Sequence, residues 1–181
     1  MEMFNNEQQA ALDQWVAGEL SEKEFLREIR WFENWGTDIE LYRELLEFSR
    51  DRKIPVIGLN VPKALGRKVS MTPLDELDHE TREKLPEMDM SDPYQRAMIE
   101  KIFAVHEAGA PIVESFFRRQ TLWDEAMAAA VADYMREHPD HHMVIIAGGW
   151  HVSYGFGIPR RVHRRLPLPY TLVGGHNLEV P

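Results

Sequence analysis

The chain of 181 residues contains no cysteine. Disulfides, thiolate metal sites and cysteine nucleophiles are therefore excluded, although the absence assigns no compartment. Positive charge is also scarce: 21 Lys and Arg stand against 30 Asp and Glu, a net charge of −9. A general nucleic-acid surface needs surplus cations to displace counterions, so nucleic acid is not an expected partner. No apolar run reaches the roughly 18 residues of a transmembrane helix. Met1–Asn6 has neither the basic nor the apolar region of a secretory leader. With 44% hydrophobic and 28% charged residues, residues 1–181 read as one soluble domain able to bury a core.

The first third carries helical spacing. Ala11, Leu12, Trp15 and Val16 recur at helix intervals until Gly18. Ser21 and Glu24 form a capping-box pair ahead of Phe25, Ile29 and Phe32. A second such pattern, Thr37 to Glu40, opens a helix through Leu41, Leu45, Leu46 and Phe48. Ile54–Asn60 then reads as a short strand. Between Lys63 and Asp92 short helices and loops are expected, an ordinary surface connection rather than a lid. Asp92-Pro93 starts a helix running to His106, and residues 108–111 break it. A long helix from about Ile112 to Glu137 follows. On it, Gln120, Trp123, Asp124 and Met127 share one face. Charge there fits either an exposed Arg–Asp pair or a pocket lining. His141 and His142 are read as solvated loop residues, since neighbours on an extended chain point to opposite sides.

The densest stretch is Val144–Pro159. Val144-Ile145-Ile146 is expected to be a strand covered on both faces. Gly148 and Gly149 end it, and His151 follows with Trp150 and Tyr154 beside it. Strand ends of this kind collect ligands in open α/β sheets. Residues 159–165 are expected to be a helix, and Leu166–Val173 a last strand before His176. The fold expected is therefore α/β: a small, mainly parallel sheet flanked by helices. A helical subdomain, about residues 5–52 and 62–107, is inserted around that α/β core.

Two segments carry a resemblance to a known family. Gln120–Ala128 and Ala147–Val152, with Gly155-Phe156-Gly157-Ile158-Pro159, resemble the ChaN family of bacterial haem-binding uptake proteins. Glu2-Met3-Phe4, Gln8-Gln9 and Gly58-Leu59-Asn60 fit the same pattern. The wider group includes Tiki-type metal-dependent proteases and erythromycin esterase-like proteins, whose Gly-x-x-His element Gly148–His151 matches. The resemblance implies an upstream strand with a Gly-Glu-x-His-like motif and a lipoprotein signal. The chain begins after where these would lie, as either an N-terminally truncated version or one with a misassigned start would. It also suggests a cell-envelope setting, without a lipobox in this sequence.

The resemblance implies haem as cofactor. Haem needs an axial ligand, apolar walls and cations for its propionates. Tyr154 and His151 are the candidate ligands, and Trp150 and Phe156 the walls. Arg160 and Arg161 are the propionate partners. Gly148, Gly149, Gln120, Trp123 and Asp124 complete the expected cofactor surface. A haem shared across a homodimer is implied, and an exposed sheet edge would favour such pairing. The alternative is a metal-dependent hydrolase or peptidase, with catalytic Glu2 and His151 holding a divalent metal ion together with His176 or Asp124. A folded but inactive remnant is the third reading. A binding role is favoured over an enzymatic one.

Overall fold

The computed structural model describes residues 1–105 and 109–175. Ten helices are found among them: α1 Gln9–Ala17, α2 Glu22–Glu28, α3 Trp31–Asn34, α4 Glu40–Asp51, α5 Lys63–Met71, α6 His79–Glu83, α7 Pro93–Val105, α8 Ala110–Glu137, α9 Gly149–Val152 and α10 Ile158–Arg165. The capping box of α2 forms as the sequence requires. Ser21 Oγ accepts from Glu24 N–H, and the Glu24 carboxylate accepts from Ser21 N–H at 2.9 Å. For α4 the capping differs from expectation. Asp38, not Thr37, accepts from the Glu40 amide at 3.0 Å.

The expected α/β fold is overturned. The described residues form no sheet, only one isolated parallel bridge between Asn5 and Asn60, so the architecture is mainly helical. The segments at 54–60 and 143–147 do lie on either side of the N-terminal residues. Met1 N donates to Ile57 O at 2.7 Å, and Asn60 N to Phe4 O at 2.9 Å. On the other side, Glu2 N donates to Ile146 O at 2.9 Å. Residues 1–5 turn within that space instead of running straight. The pairings therefore never repeat with the regular register that a ladder needs. Val144 is 83% exposed, so its segment is not covered on both faces. Residues 167–173 are exposed and unpaired rather than a last strand, which removes the sheet edge as an argument for dimerisation.

Apolar side chains pack in three clusters. Phe4, Leu12, Trp15, Phe25, Ile29, Trp31 and Leu46 fill the space between α1, α2, α3 and α4, with Trp15 stacked on Phe25 at 4.7 Å. Leu59, Met127, Val131 and Ile158 join α8 to α10, and Val69, Leu77 and Leu122 join it to α5. Helix α8 is therefore the axis of the second half, about 42 Å long at the standard rise. Pro111 lies in its first turn, where its missing N–H costs nothing. The last turn of α5 is tied down: Arg118 of α8 donates to Val69 O at 3.1 Å and Ser70 O at 2.8 Å. Burial on α4 departs from its spacing. Leu46 is buried, whereas Leu41 and Phe48 are exposed.

Candidate functional site

His151 lies on α9, a single helical turn after Gly148, and its side chain is buried against α8. Its Nδ1 is 2.6 Å from Asp124 Oδ1, and its Nε2 is 3.2 Å from Glu2 Oε1. The Gln120 amide lies 3.1 Å from Nδ1, and the Trp123 ring meets the imidazole edge-on at 6.1 Å. Asp124 is fully buried and also accepts from the Gln95 amide. Gly148 N–H donates to the second oxygen of Glu2. Helix spacing thus brings Gln120, Trp123 and Asp124 to one place around His151, and Asp124 is buried there rather than part of an exposed Arg–Asp pair.

The electrostatics follow from this arrangement. Burial alone would lower the His151 pKa. The hydrogen bonds and charges of Asp124 and Glu2 outweigh it and raise the group to about 9. Burial likewise opposes ionisation of Glu2, but the hydrogen bond to His151 prevails and holds its carboxyl below the usual value. The result is a buried carboxylate–imidazolium–carboxylate row. Gly157 permits it by close approach. A Cβ there would collide with the His151 carbonyl and lie 3.1 Å from Asp124 Oδ1.

This geometry does not suit a single cation held by Glu2, His151 and Asp124. The two carboxylates occupy opposite edges of the ring, so their oxygens cannot converge with one imidazole nitrogen on the same ion. No other group of three acidic or imidazole side chains poised for a metal is found among the described residues. His106 and His176 lie outside those residues.

From Trp150 on α9 to Phe156 the chain presents an aromatic surface, the aromatic loop. Trp150 is 53% and Tyr154 83% exposed. The Tyr154 ring is 5.8 Å from Phe156, which stacks on Tyr94 at 5.6 Å. Tyr154 adopts φ 54°, in the left-handed region that bulky residues avoid. Gly148 and Gly149 are exposed at the base of this loop, with open space where a Gly149 Cβ would stand. The two arginines of α10 diverge. Arg160 is half-exposed and pairs with Asp92 at 3.0 Å. Arg161 is buried, 3.1 Å from Glu125 and 2.8 Å from the Gln95 amide oxygen.

Sequence reasoning missed the polar network behind that second arginine. Asp92, Gln95 and Glu125 are buried, and Glu125 also meets Arg164 at 3.1 Å and Arg165 at 2.6 Å. Asp92 was legible only as the start of α7, where its carboxylate accepts from Tyr94 N–H at 3.0 Å. The crowding of arginines at 160–165 was the available signal: four guanidinium groups on one short helix require carboxylates nearby.

The chain is thus a mainly helical domain with a buried acid–histidine row and an exposed aromatic loop. The family model for haem-binding uptake proteins of the Tiki superfamily, ChaN, matches residues 1–162, and the chain belongs to that family. No curated protein and no solved structure matches it. No described helix is long and apolar enough to cross a membrane.

Proposed function

We propose that the chain binds haem on the surface formed by the Trp150–Gly157 loop, within a haem-uptake system. The observation that carries this reading is Tyr154. Its ring stands exposed beside Phe156 and Tyr94 on a backbone held at φ 54°. Strain of this kind persists where surrounding structure enforces it, commonly at ligand sites. A tyrosine phenolate is a known protein ligand for haem iron. His151 is the weaker candidate, because both ring nitrogens already face carboxylates.

The donor set and surface fit the group. Trp150 and Phe156 offer apolar walls, and Arg160, half-exposed and bound to Asp92 through one guanidinium nitrogen, has its remaining N–H groups for a propionate. Arg161 is committed to Glu125 and Gln95, so its contribution is to hold α10 in place. Haem, when bound, supplies the iron; the chain's residues bind it, orient it and shield one face. An open surface covers only one face of a macrocycle, which favours a second copy of the chain over the other.

The hydrolase alternative is not favoured by any observation here, since Glu2 and Asp124 approach opposite nitrogens of His151. A hemin titration read by absorption spectroscopy tests the proposal on the wild type, Tyr154→Phe and His151→Ala. A saturable Soret shift that Tyr154→Phe alters is expected. No saturable shift with folded protein would defeat the haem reading and leave the inactive form as its successor.

A further inference from the structure

A cleft adjoins the His151 site, sharing Glu2 and Trp123 with it but no residue of the aromatic loop. It encloses about 220 Å³ and is lined by Glu2, Asn5, Asn34, Trp35, Lys63 and Trp123 among others. Drug-sized ligands occupy pockets of roughly 300–1,000 Å³, so this cleft suits a smaller solute and is too small for a porphyrin.

The lining has both charges and unspent hydrogen-bonding groups. Glu2 Oε1 faces His151 Nε2, and Oε2 accepts from Gly148 N–H. A carboxylate has about four lone-pair sites, so each oxygen retains acceptor capacity. Lys63 Nζ donates to Glu33 O at 2.7 Å, and its ammonium has two further protons. Asn5 Oδ1 accepts from Glu7 N–H at 3.0 Å and Asn34 Nδ2 donates to Ile29 O at 2.8 Å. These bonds leave the Asn5 amide NH₂ as a donor and the Asn34 amide oxygen as an acceptor. The two indoles supply the apolar part of the wall.

We propose that this cleft binds a free amino acid as its zwitterion. Lys63 and the Asn5 NH₂ meet the carboxylate, while Glu2 and the Asn34 oxygen meet the ammonium. Trp35 and Trp123 cover the carbon skeleton, and an indole face also attracts an ammonium. A simple anion would meet the net negative charge of the Glu2–His151–Asp124 row, two carboxylates against one imidazolium, and a simple cation would face Lys63. Only a ligand of both signs satisfies the two. This assignment is independent of haem binding, because none of the four polar groups belongs to the aromatic loop.

The test is calorimetric titration of the full chain with each of the twenty free L-amino acids. The tightest binder is then retested as its N-acetyl and methyl ester forms. Saturable one-to-one binding is expected, at least tenfold weaker after either capping. Lys63→Met, an exposed position, is expected to weaken binding at least tenfold with an unchanged circular dichroism spectrum and hemin titration. Failure of all twenty to bind would overturn the proposal. So would capped forms binding as well as the free one, or an affinity that Lys63→Met leaves unchanged.

Discussion

His151 is held between two carboxylates, with Asp124 Oδ1 2.6 Å from one ring nitrogen and Glu2 Oε1 3.2 Å from the other. The folded chain therefore prefers the imidazolium, with a pKa of about 9 against 6.5 for an ordinary histidine. Its contribution to stability is fully present below about pH 6.5 and disappears as pH rises through 9. The size follows from the shift, on the order of 3 kcal/mol. Urea midpoints at pH 6 and pH 9.5 should fall steeply for the wild type. Asp124→Asn should flatten that alkaline limb. A wild-type chain equally stable at both pH values would show that the row does not hold a proton.

At the acid end Glu2 acts with the opposite sign. The hydrogen bond from His151 holds its carboxyl below the ordinary value of 4.5, so its contribution is present above about pH 4.5 and is lost on acidification. Glu2→Gln should therefore reduce stability at pH 6 while losing less between pH 6 and pH 3. Equal acid sensitivity in the two proteins would assign the acid limb to other carboxylates.

Much of the helical framework was legible because its signals are local. Ser21 with Glu24, Gly18 and Pro93 mark boundaries through caps and backbone preference, and α2, α1 and α7 begin or end at them. Gln120 and Asp124 were legible by spacing as one helix face. The sheet was misread for a different reason. Val144-Ile145-Ile146 has strand composition, but a ladder needs partners in register, and residues 1–5 turn between their two neighbours. The Asn5, Asn34 and Asn60 lining of the cleft, like the Gln95–Glu125–Arg161 network, joins positions tens of residues apart. No periodicity encodes such meetings.

The network around Glu125 yields a contrast between neighbouring arginines. Arg161 is 2% exposed and lies between Glu125 and Gln95, whereas the Arg160 side chain is 44% exposed. Arg161→Met should cost about 3 kcal/mol, because it leaves buried acceptors short of a partner. Arg160→Met should cost about 1 kcal/mol or less, as expected of an exposed ion-pair partner. Chemical denaturation of the two variants measures the difference. Equal losses would mean that Arg164 and Arg165 suffice for Glu125.

Gly157 gives a steric test of the same region. An alanine Cβ would overlap the His151 carbonyl, and backbone cannot rotate away as a flexible side chain can. Gly157→Ala should therefore destabilise the chain by about 3 kcal/mol. The weakened packing should also displace His151, visible as a lowered imidazole pKa in an NMR titration. Gly149→Ala is the control, since nothing lies within 4 Å of a Cβ there. A chain that tolerates both substitutions equally would show that α9 and the turn before α10 are free to separate.

Tyr154 allows function and stability to be set against each other. At φ 54° a tyrosine side chain crowds its own backbone, at a cost on the order of 1–3 kcal/mol. Glycine removes that strain but adds freedom to the unfolded chain, worth roughly 0.4–1 kcal/mol in the other direction. Because the ring is 83% exposed, little packing is lost with it. Tyr154→Gly should thus raise stability by about 1 kcal/mol, or a few degrees in melting temperature for a chain of this length. The same substitution should abolish the Soret shift with hemin. Tyr154→Phe should abolish it too, without the gain in stability, because it keeps the strain and removes only the hydroxyl. A melting temperature that falls in Tyr154→Gly would show that the ring's contacts with Phe156 outweigh the backbone cost, and that the loop is held by packing instead of kept strained for a ligand.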